Sequence, residues 1–188
     1  MDEGRNPEAI VMTALPISPT ESQILTALRS FLLAILPDGV ECIRGQANKV
    51  PEPASPDFVV MTHVYRRRLA TNVDTWDTTN ADPTSLAIGH ATMSDIQLDV
   101  HGPNSTDNAQ TITTLWRDDF GCSQIDNAIF QPLYASDGHQ VPFVNGEGQY
   151  EDRWVVTVTL QATPVISTPM QFADTLSPNI SSIGNANP

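Results

Sequence analysis

Apolar positions fall into periodic blocks separated by polar, proline-rich stretches, and the periods define the elements. Ile24, Leu28, Phe31, Leu32, Ile35 and Leu36 recur at spacings of three and four, the mark of a helix with one apolar face. Thr20 and Gln23 stand ahead of them in the capping-box pattern. Pro37-Asp38-Gly39 then stops the period, so a helix is predicted over residues 20–36. Residues 40–44 read as a short strand and 45–56 as a proline-studded loop. The stretch 58–65 is apolar on both parities, with Phe58, Val60 and Val64 on one and Val59, Met61 and Tyr65 on the other. Such a run predicts a central strand covered on both faces. Residues 70–89, rich in Thr, Asn and Asp, predict a long loop or an extended hairpin tip, a kind of segment that is usually functional or ordered by a partner.

Residues 95–100 alternate strictly and predict a half-buried strand, ended by His101-Gly102-Pro103. Ala109, Ile112, Leu115, Trp116 and Phe120 mark the face of a second helix, with Asn104 or Ser105 as its cap and Gly121 just past its end. Residues 122–148 read as irregular, with turn signals at Asp137-Gly138 and Asn145-Gly146. Trp154, Val156, Val158, Leu160 and Ala162 line a further alternating strand that Pro164 ends. No internal repeat is present. The order predicts an α+β fold, a mainly antiparallel sheet of four to five strands packed by two helices, with extended loops and terminal arms. The division expected is an N-terminal extension over 1–17, a core over 18–164 and a polar C-terminal arm over 165–188.

Charge narrows the function. The 188 residues hold 9 Lys plus Arg against 22 Asp plus Glu, a formal net charge of −13, and Lys49 is the single lysine. A polyanion is gripped by clustered cations, so a general grip on nucleic acid or an anionic membrane face is not expected. No apolar run approaches the ~20 residues that span a bilayer. The acidic start Met1-Asp2-Glu3 lacks the basic-then-apolar order of a secretory signal. Cys42 and Cys122 form neither a disulfide framework nor a metal knot, and buried, reduced thiols in a cytosolic protein are the expectation.

Candidate chemistry is sparse. His63, His90, His101 and His139 have no metal-ligand spacing. His101 follows Asp99 on a parity expected to be exposed, where a locally hydrogen-bonded strand-end histidine is the simpler reading than a two-ligand site. There is no nucleophile elbow, phosphate-cradling loop or Cys-x-x-Cys. Gly146-Glu147-Gly148 reads as a hairpin turn, and Asp118-Asp119 and Glu151-Asp152 as solvated faces. Arg66-Arg67-Arg68 is the single basic cluster. Its simplest role is pairing with carboxylates within the chain or across a subunit interface, since the guanidinium fork binds carboxylates bidentately. Contact with nucleic acid is the sharper alternative. The residues alone therefore favour an assembly or binding role over catalysis.

Several longer phrases occur in order: 44–53 (Arg-Gly-Gln-Ala-Asn-Lys-Val-Pro-Glu-Pro), 57–62 (Asp-Phe-Val-Val-Met-Thr), 71–75 (Thr-Asn-Val-Asp-Thr), 99–103 (Asp-Val-His-Gly-Pro) and 107–110 (Asp-Asn-Ala-Gln), the last followed by Thr113, Thr114, Trp116 and Arg117. The phrases 149–154 (Gln-Tyr-Glu-Asp-Arg-Trp) and 171–174 (Gln-Phe-Ala-Asp) complete the series. Together they resemble the neck or tail-terminator proteins of tailed bacteriophages and prophages over about residues 20 to 176. The N-terminal extension and the asparagine-rich C-terminal end depart from that pattern.

The resemblance implies a structural virion protein at the head–tail junction, assembled in the host cytoplasm, without catalytic, cofactor or metal residues. It implies a ring, commonly of six copies, that ends tail-tube polymerisation and docks the neck or capsid connector. Expected partners are further copies of the chain, the tail tube protein, a neck or head-completion protein and the sheath. DNA would pass through the lumen without specific binding, and an acidic lining would repel its phosphates. No membrane is involved. Another neck ring, or in a different class a non-catalytic binding module, are the alternatives. Expected contact residues are Arg66, Arg67 and Arg68 as a cationic patch, Asn72, Asp74 and Trp76 on the 70–89 loop, and Gln171 and Phe172 near the end. Segment 122–148 is a second expected contact loop. Trp76 either anchors that interface or plugs the core of its own subunit.

Overall fold

A computed structural model describes residues 14–46, 53–77, 85–126, 128–144, 146 and 148–169. The first long element is helix α1, Glu21–Ile35. Its capping box forms as the sequence predicts: Gln23 N donates to Thr20 Oγ1 at 3.2 Å, and Thr20 N donates to Gln23 Oε1 at 2.7 Å. Ile24, Leu25, Leu28, Phe31 and Leu32 are its buried face. Each such aliphatic or aromatic side chain stabilises the fold by ~1.5–3 kcal/mol on burial.

Numbered along the chain, the strands are β1 (Ile17–Ser18), β2 (Glu41–Arg44), β3 (Phe58–Arg68), β4 (Val73–Asp77), β5 (Ser85–Gly89), β6 (Thr92–His101), β7 (Gln131–Ala135), β8 (His139–Gln140), β9 (Phe143–Val144), β10 (Tyr150–Glu151), β11 (Arg153–Ala162) and β12 (Val165–Pro169). Helices α2 (Ser105–Leu115) and the single-turn α3 (Asp119–Ser123) lie between β6 and β7. The main sheet has the order β2-β3-β6-β11-β7, with β8 also on β11. β2 runs parallel to β3, and the other pairs are antiparallel. The architecture is α+β, as the sequence predicts, with more strands than the four or five expected.

Strand alternation divides the main sheet into two faces. Val59 and Met61 of β3, Ile96, Leu98 and Val100 of β6, and Val156, Val158 and Leu160 of β11 form the core with α1 and α2. Trp116, at the end of α2, is fully buried between Phe31 and Phe130 and donates its indole N–H to the Thr159 carbonyl at 3.3 Å. The other face carries Phe58, Val60 and Thr62, then Asp95, Gln97, Asp99 and His101, then Arg153, Thr157 and Thr159.

Several expectations change. The central strand is β6, and β3 is not covered on both faces: past a bulge between His63 and Tyr65, Val64 and Tyr65 are half exposed. The second helix stops at Leu115, and Gly121 sits inside α3, where a Cβ would press on the Leu115 carbonyl. Asn104 occupies the N-cap position of α2 without capping through its side chain, which donates to Asp57 instead. The segment 122–148 is not wholly irregular, because β7 and β8 join β11.

A second sheet, β1-β12-β5-β4, is antiparallel throughout. The 70–89 segment is thus a hairpin, β4–β5, and residues 165–169 of the expected arm are its third strand. β9 and β10 form a separate two-stranded ribbon. No described helix is long and apolar enough to cross a membrane.

Candidate assembly interface

The long strands β3, β6 and β11 give the molecule two ends, and its unusual side chains gather at both. At one end β3 finishes in Arg66, Arg67 and Arg68, paired with Ser94, Met93 and Thr92 of β6. Arg68 donates to His90 Nε2 at 2.8 Å and to Asn72 Oδ1 at 3.3 Å, and Arg67 donates to Met93 Sδ at 3.3 Å. Arg66 lies 4.0 Å from Glu21, a carboxylate that also faces Arg44 and His63. Among the described residues Glu21 is the one carboxylate within ion-pair distance of any of the three arginines, and it reaches Arg66 alone.

The second sheet borders this cluster. Its register aligns Ile17, Ile166 and Ile88 in one row and Thr168, Leu86 and Trp76 in another on the same face. Ile17, Ile166 and Trp76 are substantially exposed, Trp76 at 50 %. A hollow of about 360 Å³ joins Ile17, Ile88 and Ile166 to the three arginines, Asn72 and His90. Asp74 shares the face of Trp76 on the edge strand β4. The structure thus places Arg66, Arg67, Arg68, Asn72, Asp74 and Trp76 around one apolar, basic surface. Trp76 does not plug the core. Gln171 and Phe172 lie outside the described residues.

At the opposite end the row Phe58–His101–Arg153 crosses three strands. The His101 ring stacks on Phe58 at 4.5 Å between centroids and meets Phe143 edge-on at 5.6 Å. Arg153 donates to Asp99 Oδ1 from Nη2 at 2.6 Å and from Nε at 3.1 Å, and lies over the Phe143 ring. Asp99 and His101 are buried, not exposed as the alternation suggested. Loop 53–56 and the β9–β10 ribbon wall a pocket of about 950 Å³ over this row. Burial pushes the His101 imidazole below its ordinary value, against the opposing pull of Glu151, whose carboxylate stands 3.6 Å from Nδ1. Glu151 is thus a neighbour of His101 and not simply part of a solvated face.

The ribbon is what the sequence reading missed. The turn signal of Gly146 and Gly148 is legible in the sequence, but the flanks Phe143, Val144 and Tyr150 are too short to show a period. Val144 pairs with Tyr150, and Phe143 with Glu151. The second pair faces His101, so alternation turns Val144 and Tyr150 the other way, with Tyr150 also at the border of the pocket. Tyr150 is 85 % exposed.

Cys42 is buried, and burial pushes its thiol up to about 11 despite nearby Arg29. Such a thiol stays protonated and unreactive. Cys122, expected to be buried, is only partly so. Among the described residues no cluster of three or more His, Cys, Asp or Glu could hold a metal ion.

Comparison with known families matches residues 22–185 to the phage neck terminator proteins. Comparison with curated proteins returns no match.

Proposed function

The chain belongs to the phage neck terminator protein family, a family of structural proteins, and from that premise we propose that its copies close into a ring, of six subunits, at the head-proximal end of the tail tube. The ring ends tube polymerisation and docks the neck or head-completion protein, with the sheath as a further neighbour in a contractile tail. It acts without catalysis and without a cofactor, within the virion, after assembly in the host cytoplasm. The observation that carries this reading is the apolar sheet face edged by Arg66, Arg67 and Arg68, with Asn72, Asp74 and Trp76 on the same surface. Exposed apolar patches rimmed by charge mark interaction sites, and a closed ring needs such a surface on every copy. A net charge of −13 suits a bore through which DNA passes without adhering.

Purified protein mixed with its tail tube protein tests this by negative-stain imaging and tube-length measurement. Rings capping tubes of uniform length are expected. Monomers beside tubes that keep growing would defeat the proposal.

A further inference from the structure

Charge is polarised along the main sheet. β11 runs nine residue steps from Arg153 to Ala162, about 30 Å at ~3.3 Å per residue. At its start, Glu41, Asp57, Glu151 and Asp152 surround the Phe58–His101–Arg153 row, and Arg153 is already paired with Asp99. At its finish stand Arg66, Arg67 and Arg68, which outnumber the nearby carboxylates Glu21 and Asp74. Each end also carries exposed apolar side chains, the Val144–Tyr150 pair at the acidic end and Ile17 and Ile166 beside Trp76 at the basic end.

Two complementary surfaces at opposite ends of one subunit suit a heterologous contact, which a ring requires and a two-fold dimer does not. We infer that the β9–β10 ribbon of one copy seats on the second sheet and arginine cluster of the next copy, head to tail. Tyr150 is the anchor, as aromatics are at interfaces generally. Asp152, exposed at the base of the ribbon, supplies a carboxylate to the arginines, which among the described residues have only Glu21, 4.0 Å from Arg66, within ion-pair distance. The two charge patterns reinforce one direction of docking, since like ends repel. The inference rests on the ring reading and assigns its subunit contact.

One-ended variants test it on the full chain. Tyr150→Glu spoils the ribbon, and the double variant Arg66→Glu/Arg68→Glu spoils the basic face. Each alone is expected to run as a monomer by native mass spectrometry, with far-UV circular dichroism unchanged. Mixed in equal amounts they retain one intact junction per pair, so a species of twice the protomer mass is expected and nothing larger. Either variant still forming complete rings overturns the inference, as does a mixture that stays monomeric. Should a variant fail to fold, Tyr150→Ala and Arg68→Gln replace it, with at least tenfold weaker assembly expected. Rings that persist while the arginine variant loses DNA or tube binding would give the basic face to that partner and overturn the inference. Wild-type protein that forms no ring, alone or on tubes, instead removes the ring reading beneath it.

Discussion

Phe58 and His101 stack nearly parallel, 6° between ring planes, across the pair β3–β6. Phe143, Glu151, Asp99 and Arg153 complete the surroundings of the imidazole. Burial, the dominant influence, disfavours the charged ring, so the folded state holds His101 neutral below its ordinary value of 6.5. In the window between that lower value and 6.5 the unfolded chain binds the extra proton, so stability rises with pH. This contribution is complete above about 6.5, drains away as the pH falls through the window, and changes no further below the folded-state value. Urea unfolding at pH 7.5 and at lower pH reads the effect. His101→Gln is expected to lose this component of the acid sensitivity, and an unaltered pH profile would contradict it.

Trp116 ties the helices to the sheet through ring contacts with Phe31 and Phe130 and a hydrogen bond to Thr159. Trp116→Ala opens a cavity at a fully buried site and is expected to cost ~3–5 kcal/mol. That is a large part of the ~5–15 kcal/mol available to a native protein. Trp116→Phe keeps much of the packing and removes one donor, so a loss nearer ~1 kcal/mol is expected from the missing bond. Equilibrium urea unfolding separates the two, and equal losses would argue against the cavity as the cause.

Local chemistry was legible in the sequence, and pairing between distant segments was not. Thr20 and Gln23 announce the start of α1 because both halves of the capping box lie within four residues. Alternation locates β6 and β11 correctly. It states that Asp99 and Val100 face opposite ways, but not that a ribbon some 45 residues further along the chain covers Asp99 and His101. Val64 misleads for a related reason: an apolar residue in an apolar run reads as buried, whereas the bulge beside it shifts the register and leaves it half exposed. Residues 165–169 are polar enough to read as an arm, and their strand exists because Ile17 and Ile88 flank Ile166. The basic cluster was found by its charge, and its apolar neighbours only by the register that brings three separate segments together.

Gly102 holds the turn between β6 and α2 at φ +103°, a conformation that side chains resist. A Cβ there would come within 2.3 Å of the Pro56 carbonyl oxygen and 2.5 Å of Asp57 Oδ1. Asp57 accepts from Asn104 N at 3.0 Å and Asn104 Nδ2 at 2.8 Å, fixing the entry to α2. Gly102→Ala is expected to cost at least ~2 kcal/mol from strain and displacement together, or about 4 °C or more in melting temperature for a chain of this size. Gly146→Ala meets open space and serves as the control. A melting temperature unchanged by Gly102→Ala would show that loop 56–57 moves aside freely.

Trp76 separates folding from assembly. Its side chain is half exposed on the edge strand β4 and lies outside the buried core. Trp76→Ala is therefore expected to lower folding stability by about 1 kcal/mol, well short of the cost of truncating a buried aromatic. An interfacial aromatic whose loss costs ~2 kcal/mol or more weakens each subunit junction about 30-fold. Native mass spectrometry across a dilution series should show the variant leaving its oligomer at correspondingly higher concentration than the wild type, with thermal melts of the two nearly superimposed. A variant that melts early yet assembles with unchanged stoichiometry would make Trp76 a folding residue and remove it from the contact surface.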